Sequence, residues 1–164
     1  MSATVSAATM VFAPEPDRRV VFYIPGGCKP KGSHVAAVTK DGRPYSRDMS
    51  SSTARSWVAL AKDRAHAARG ERPMFDQAVS VTMTVLRVRP GSHYGSGKNA
   101  RVLKATAPTY PTSAPDLDKQ ARQLGDALNG VLWRDDAQIS SWRVVRRWGT
   151  EAGITVIVQP EFEP

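Results

Sequence analysis

The sequence predicts a small α/β (α+β) fold, a single domain in which a mixed β-sheet carries two helices in the order β-α-β-α-β-β. Three features support this. Val79, Val81, Met83 and Val85 alternate with Ser80, Thr82, Thr84 and Leu86, the period-two pattern of a strand with one face in a core. Segments 50–69 and 116–128 carry apolar residues at three- and four-residue steps between capping residues and a glycine stop. The C-terminal stretches 139–148 and 153–159 are rich in Val, Ile and Trp, residues that favour a pleated surface. With 164 residues and 41% apolar content the chain can build one compact core, and a second would be hard to supply.

Residues 1–18 are small and polar, contain Pro14 and Pro16, and have nothing periodic to bury, so a loosely ordered leader is expected ahead of a domain over 19–164. Val20-Val21-Phe22-Tyr23-Ile24 is β-branched and aromatic, and Pro25-Gly26-Gly27 ends it, which predicts the first strand. The extended segment Lys29-Pro30-Lys31-Gly32 follows, and Lys29 and Lys31 are suited to lie along a phosphate backbone. The first helix opens at the capping residues from Ser50 and stops at Gly70, with Trp57, Leu60, Ala61, Arg64 and Ala68 along one stripe. Ala78–Val88 is the second strand. Residues 89–115 contain Pro90, Gly91, Gly95, Gly97, Pro108 and Pro111 without sustained periodicity, so they read as a long loop, and loops of this length in compact domains are commonly functional. Leu117, Ala121, Leu124, Ala127 and Leu128 give Asp116–Leu128 its helical spacing, and Asn129-Gly130 stops it. The last two stretches, separated by Gly149-Thr150-Glu151-Ala152, predict an antiparallel hairpin.

Lys and Arg outnumber Asp and Glu by 23 to 15, so the surface field attracts phosphate polymers. The distribution is sharper than the total. Between Asp76 and Asp116 there is no acid, while Arg87, Arg89, Lys98, Arg101 and Lys104 all fall there, which makes the long loop a uniformly basic arm. A single cysteine, Cys28, excludes an internal disulfide and fits a reducing cytoplasm, and with only three histidines it cannot build a zinc site of the usual kind. No run of about 18 apolar residues and no secretory signal is present, so a soluble, cytoplasmic protein with no membrane association is expected.

Against this basic background stand Asp116, Asp118, Asp126, Asp135 and Asp136. Mg²⁺ takes hard oxygen ligands and few carboxylates, leaving water and substrate phosphate to complete its shell. At a helix start the leading residue is not yet helical, so Asp116 and Asp118 can converge on one ion although they are two apart. Asn129-Gly130 permits a reversal that Val131-Leu132-Trp133 can anchor, returning Asp135 or Asp136 as a third ligand. Asp126 lies four residues after Arg122 and is expected to pair with it in a supporting role. Arg122, one turn past Asp118, is placed to contact a scissile phosphate or hold a carboxylate. Taken singly, Asp116 is an N-cap, Asp118 a complement to the helix dipole and Asp135-Asp136 a turn. Taken together, acids clustered in a basic chain are what a cation bridging them to phosphate explains.

Pro115-Asp116-Leu117-Asp118-Lys119, followed by Gly125-Asp126-Ala127-Leu128-Asn129-Gly130-Val131-Leu132-Trp133-Arg134-Asp135-Asp136-Ala137-Gln138-Ile139, resembles the RusA family of Holliday junction resolvases, common in phages and prophages. The resemblance is specific from Pro115 to Trp148 and looser before it. It implies a small mixed α/β domain that forms a homodimer and resolves four-way DNA junctions by Mg²⁺-dependent paired nicking, in recombination and repair, with Mn²⁺ as a substitute ion. It implies metal-binding, catalytic aspartates at Asp116, Asp118 and, of the final pair, Asp136, which leaves Asp135 with Asp126 in support. The family's important helix lysine falls on Arg122, which keeps the charge but cannot transfer a proton. Asn often follows the second aspartate in the family, whereas this chain has Lys119. Lys119 and Arg122 thus join Lys29, Lys31, Arg87, Arg89, Lys98, Arg101 and Lys104 as expected DNA contacts. The strand pair bearing Trp142 and Trp148 is a candidate dimer surface, with a core role as the alternative. Two other functions fit parts of the pattern: a non-catalytic basic DNA-binding module, and a different Asp-x-Asp metal enzyme acting on nucleotides.

Overall fold

The computed structural model describes residues 18–28, 34–48 and 52–161. Along them run strands β1 (Val20–Pro25), β2 (His34–Val38) and β3 (Pro44–Asp48), helix α1 (Ser52–Arg69), strand β4 (Val79–Val88), helix α2 (Leu117–Leu128), and strands β5 (Ile139–Gly149) and β6 (Gly153–Pro160). Short 3₁₀ turns lie at Gly91–His93, Gly97–Asn99 and Asp136–Gln138. The expected mixed sheet with two helices is present. Residues 1–17, most of the expected leader, lie outside the described residues, as do Lys29 and Lys31.

The main sheet is four-stranded with the order β1-β6-β4-β5, antiparallel except for the β4–β5 pair. Alternation sets its faces. Val20, Phe22 and Ile24 on β1, Ile154, Val156 and Val158 on β6, and Val79, Val81, Met83 and Val85 on β4 all point into the core. Helix α1 covers β1 with Ala54, Trp57, Ala61 and Ala65, one side of an 18-residue helix, and also packs on α2, which lies against β5. Ala65 rather than Arg64 continues the buried stripe, and Arg64 is exposed.

Two differences from the sequence expectation concern the strands. The C-terminal pair is not a hairpin, because β4 lies between β5 and β6 and bonds to both, Val81 facing Trp142 on one side and Val158 on the other. The 150–152 connection therefore crosses the end of β4, and a Cβ at Gly149 would sit 3.3 Å from Leu86 Cβ and 3.2 Å from the Glu151 carbonyl oxygen, a close approach that a glycine accommodates without displacing either. The second difference is an added antiparallel β2–β3 pair. Its turn carries Asp41-Gly42, with Gly42 at φ 78° and Thr39 and Arg43 bonded across it at 2.9 Å, a hairpin signature readable in the sequence.

After α2 the chain reverses sharply. Val131 and Leu132 amides both donate to the Leu128 carbonyl (3.0 and 3.1 Å), Gly130 adopts φ 73°, and Trp133 Nε1 donates to Asn129 Oδ1 at 2.8 Å. Leu132 and Trp133 are wholly buried, so the reversal is nailed to the core and fixes where the following aspartates emerge. Replacing Trp133 by Ala should cost about 3–5 kcal/mol of stability in urea unfolding, and a loss under about 1 kcal/mol would show that the anchor carries little.

Candidate metal centre

The segment that enters α2 is held from the sheet. Parallel pairing sets Arg146 beside Val85 and Trp148 beside Arg87, so Trp142, Val144, Arg146 and Trp148 share the side of the sheet that the β4 core residues face. A guanidinium on that side needs acceptors. Arg146 Nη1 donates to the Ser113 carbonyl at 2.9 Å and Nη2 to the Pro115 carbonyl. Arg87 Nη1 reaches the Ser113 carbonyl (2.8 Å) and hydroxyl (2.9 Å) and the Ala114 carbonyl (2.7 Å). Partial burial and the nearby Arg87 lower the basicity of Arg146, and the negative charge of Asp116 opposes that shift.

Asp116 occupies the N-cap position of α2 with extended backbone (φ −66°, ψ 142°), yet its side chain makes no capping hydrogen bond. It forms an ion pair with Lys119 at 2.8 Å, both side chains being more than half exposed. The Lys119 hydrogen bond and charge hold the Asp116 carboxyl below the usual carboxylate range, with Arg146 adding to the effect. Asp118 follows in the first helical turn, exposed, where the helix N-terminus favours negative charge.

Asp136 arrives from the reversal after α2. A Cβ built on Gly125 would lie 3.6 Å from Asp136 Cβ, 3.7 Å from its Oδ2 and 3.6 Å from Trp142 Cζ2, so a residue without a side chain lets both pack on the helix. In a regular helix Asp118, Arg122 and Gly125 fall within about 60° of one another, which sets Asp136 on the Asp118 side roughly two turns further along. Among the described residues, no three acidic, histidine or cysteine side chains lie close enough to hold an ion together. Asp116 and Asp118 stand at the start of α2 and Asp136 beside Gly125 in its last third, and the three do not close into a cage. The solvent-open carboxylates at the helix start do fit Mg²⁺, which commonly binds one or two carboxylates and keeps several waters.

The other aspartates have different surroundings. Asp135 Oδ1 accepts from the Ala137 amide at 2.8 Å while Gln138 Oε1 accepts from the Arg134 and Asp135 amides at 2.8 and 3.4 Å, a reciprocal capping box. The expected Arg122–Asp126 pair does not form: both side chains are exposed, and among the described residues the ion pair of α2 is Asp116–Lys119. Arg122 lies instead within electrostatic reach of Lys119. Cys28 is buried, with its Sγ donating to Gln123 Oε1 at 3.4 Å and its carbonyl accepting from Gln120 Nε2 at 3.3 Å; burial pushes the thiol up to about 12, which keeps it inert.

The basic loop is organised by its own cations. Arg89 Nη1 and Trp148 Nε1 both donate to the Pro108 carbonyl at 3.0 Å, the Arg89 guanidinium lies over the Trp148 ring at 4.9 Å, and His93 meets that ring edge-on at 5.2 Å. Lys104 Nζ donates to the Ser92 carbonyl at 2.9 Å, and a Tyr94–Leu103 bridge closes the outer turn. Arg87, Arg89 and Lys104 thus shape the loop, while Lys98 and Arg101 stand exposed on the turn. Trp148 is engaged in anchoring the loop, and Trp142 packs on α2 at Gly125 while remaining 37% exposed. Arg146 was not among the sequence candidates. Its signal was the parity of β5, where an arginine falls in register with Trp142, Val144 and Trp148 on the side turned to the core.

A protein of Bacillus subtilis (strain 168) named "Uncharacterized protein YqaN" is 26% identical over 134 residues, covering 80% of this chain and 86% of that protein. The family model described as "Endodeoxyribonuclease RusA" matches residues 27–159, a span that contains the basic loop, α2 and all five aspartates from Asp116 to Asp136. With most of its length matched, the chain belongs to the RusA family of endodeoxyribonucleases, hydrolases that act on DNA.

Proposed function

We propose that this endodeoxyribonuclease resolves four-way DNA junctions in a Mg²⁺-dependent reaction, with Asp116 and Asp118 as the carboxylates that hold the ion and Asp136, further along the same side of α2, as the third aspartate of the site. The observation that carries the reading is the condition of Asp116. An aspartate at an N-cap ordinarily turns its carboxylate onto the first helical amides. Here it faces solvent instead, ionised and held by one exposed lysine, next to a second exposed aspartate. A divalent cation bound there would offset charge on the scissile phosphate and supply a readily ionised water, and Mn²⁺ suits the same oxygen donors.

The chain's own residues divide the remaining work. Lys119 pairs with the Asp116 carboxylate and faces a phosphate once that carboxylate turns away. Arg122 offers a two-pronged donor to phosphate and cannot act as a proton shuttle. Asp135 maintains the turn that presents Asp136, and Asp126 adds negative charge on the same helix. Lys98 and Arg101 meet the DNA backbone from the outer turn, with Lys29 and Lys31 belonging to the same basic set. Arg87, Arg89 and Lys104 hold the loop that presents these cations. A four-way junction has approximate twofold symmetry, so a homodimer sets one site on each of two opposed strands.

Asp118→Asn should abolish Mg²⁺-dependent cleavage of a synthetic four-way junction while leaving junction binding intact, with strand-resolved gels and a linear duplex as control; persistent cutting by the variant sinks the assignment. Replacing Lys98 and Arg101 together by Ala should reduce the slope of log affinity against log salt by about two, and an unchanged slope removes the outer turn from the DNA interface. Lys119→Met should raise the Asp116 titration toward the ordinary carboxylate range, read by carboxyl-carbon NMR. The sign follows from the direction of the shift: a depressed carboxylate adds stability above its unfolded value and loses it as pH falls through the folded one. A titration that stays low in the variant would assign the shift to another group.

A further inference from the structure

Two arginines on the parallel strands β4 and β5 spend their guanidinium groups on backbone carbonyls of residues 113–115, next to Asp116, and among the described residues neither makes a salt bridge. We propose that Arg146 is a positioning residue for cleavage: by bridging the Ser113 and Pro115 carbonyls it fixes the backbone that presents Asp116, with Arg87 bracing the same turn. This rests on the reading of Asp116 as a metal ligand.

Four observations carry it. The bridged carbonyls are two residues apart, a span that the planar fork of arginine meets with two separate nitrogens and a single ammonium does not. The arrangement is costly as a mere brace, since Arg146 Nε is buried with no hydrogen-bond partner and two like charges converge on one turn. An apolar residue in line with Trp142, Val144 and Trp148 would serve packing alone more simply. Finally, the Pro115 carbonyl belongs to the peptide unit that joins directly to Asp116, so the clamp acts one bond system away from the ligand. Arg146 makes no hydrogen bond to the Asp116 carboxylate, so its action runs through the backbone.

The test measures single-turnover cleavage of a four-way junction against Mg²⁺ concentration, with junction binding followed separately in Ca²⁺. Arg146→Lys keeps the charge and loses the bridge; it should bind junctions as the unaltered protein does, yet need about tenfold more Mg²⁺ and cut about tenfold more slowly, the scale of a displaced reacting group. Arg72→Lys is the control, because it breaks a comparable arginine-to-carbonyl clamp on Ala68 and Arg69, remote in sequence from the aspartates, and should leave the Mg²⁺ midpoint unchanged. A normal midpoint and rate in Arg146→Lys overturns the proposal. So does an equal shift in Arg72→Lys, which would mark general loss of stability. Should Arg146→Lys unfold at the assay temperature, Arg87→Lys is read in its place, a raised midpoint supporting the clamp and an unchanged one overturning it. Asp116→Asn in the same assay separates the two levels: if it still cuts, the metal-site reading itself fails, whereas an inactive Asp116→Asn beside a normal Arg146→Lys removes only the positioning role.

Discussion

The insertion of β4 between β5 and β6 is the constraint on which the rest of the molecule depends. By pairing on both edges, β4 becomes a fully hydrogen-bonded central strand whose inward residues Val79, Val81, Met83 and Val85 form the middle of the core. Because β5 runs parallel to it, both strands end at the same edge of the sheet. The chain leaving β4 as the basic loop and the chain entering α2 must then meet at that edge, the usual position of sites in sheets with parallel strands. An antiparallel β4–β5 pair would have carried Arg146 and Trp148 to the opposite edge, away from the carbonyls they hold.

Charge is sorted by position rather than spread evenly. Cations near the root of the loop donate to backbone carbonyls and to the Trp148 ring, and those on the outer turn face solvent. A uniformly basic loop of this length would otherwise repel itself, and tying Arg89 and Lys104, together with Arg87 at the end of β4, to fixed acceptors gives it a defined shape without an acid. Asp116 marks the sign change between this loop and α2. Its pairing with Lys119 is shallow and exposed, so the carboxylate is ionised without being locked away from a competing cation.

Local sequence signals were legible wherever one element decided the outcome. Alternation in 79–88, the helical spacing of 52–69 and 117–128, and Asn129-Gly130 with an anchoring Trp133 all appear where their patterns put them. The Asp41-Gly42 turn was equally legible, although the β2–β3 pair it joins was not anticipated. Strand partners were not, since Gly149 to Gly153 has the spacing of a hairpin and only the presence of β4 in the gap says otherwise. Spacing also favoured an Arg122–Asp126 pair, but on an exposed helix face such a pair gains little and Lys119 found Asp116 instead.

The sequence by itself determined the chemistry available: a basic chain, hard carboxylate donors at a helix start, and two aspartates returned by a reversal, because residue type and short-range spacing are local properties. Tertiary structure decided how those groups are used. It committed Asp135 to a capping box and packed Asp136 against Gly125, a contact between residues joined only through the folded reversal. It also brought Arg146 and Arg87 onto the turn before Asp116, since which strands lie side by side, and in which direction, is set by burial of the whole core rather than by any stretch of sequence.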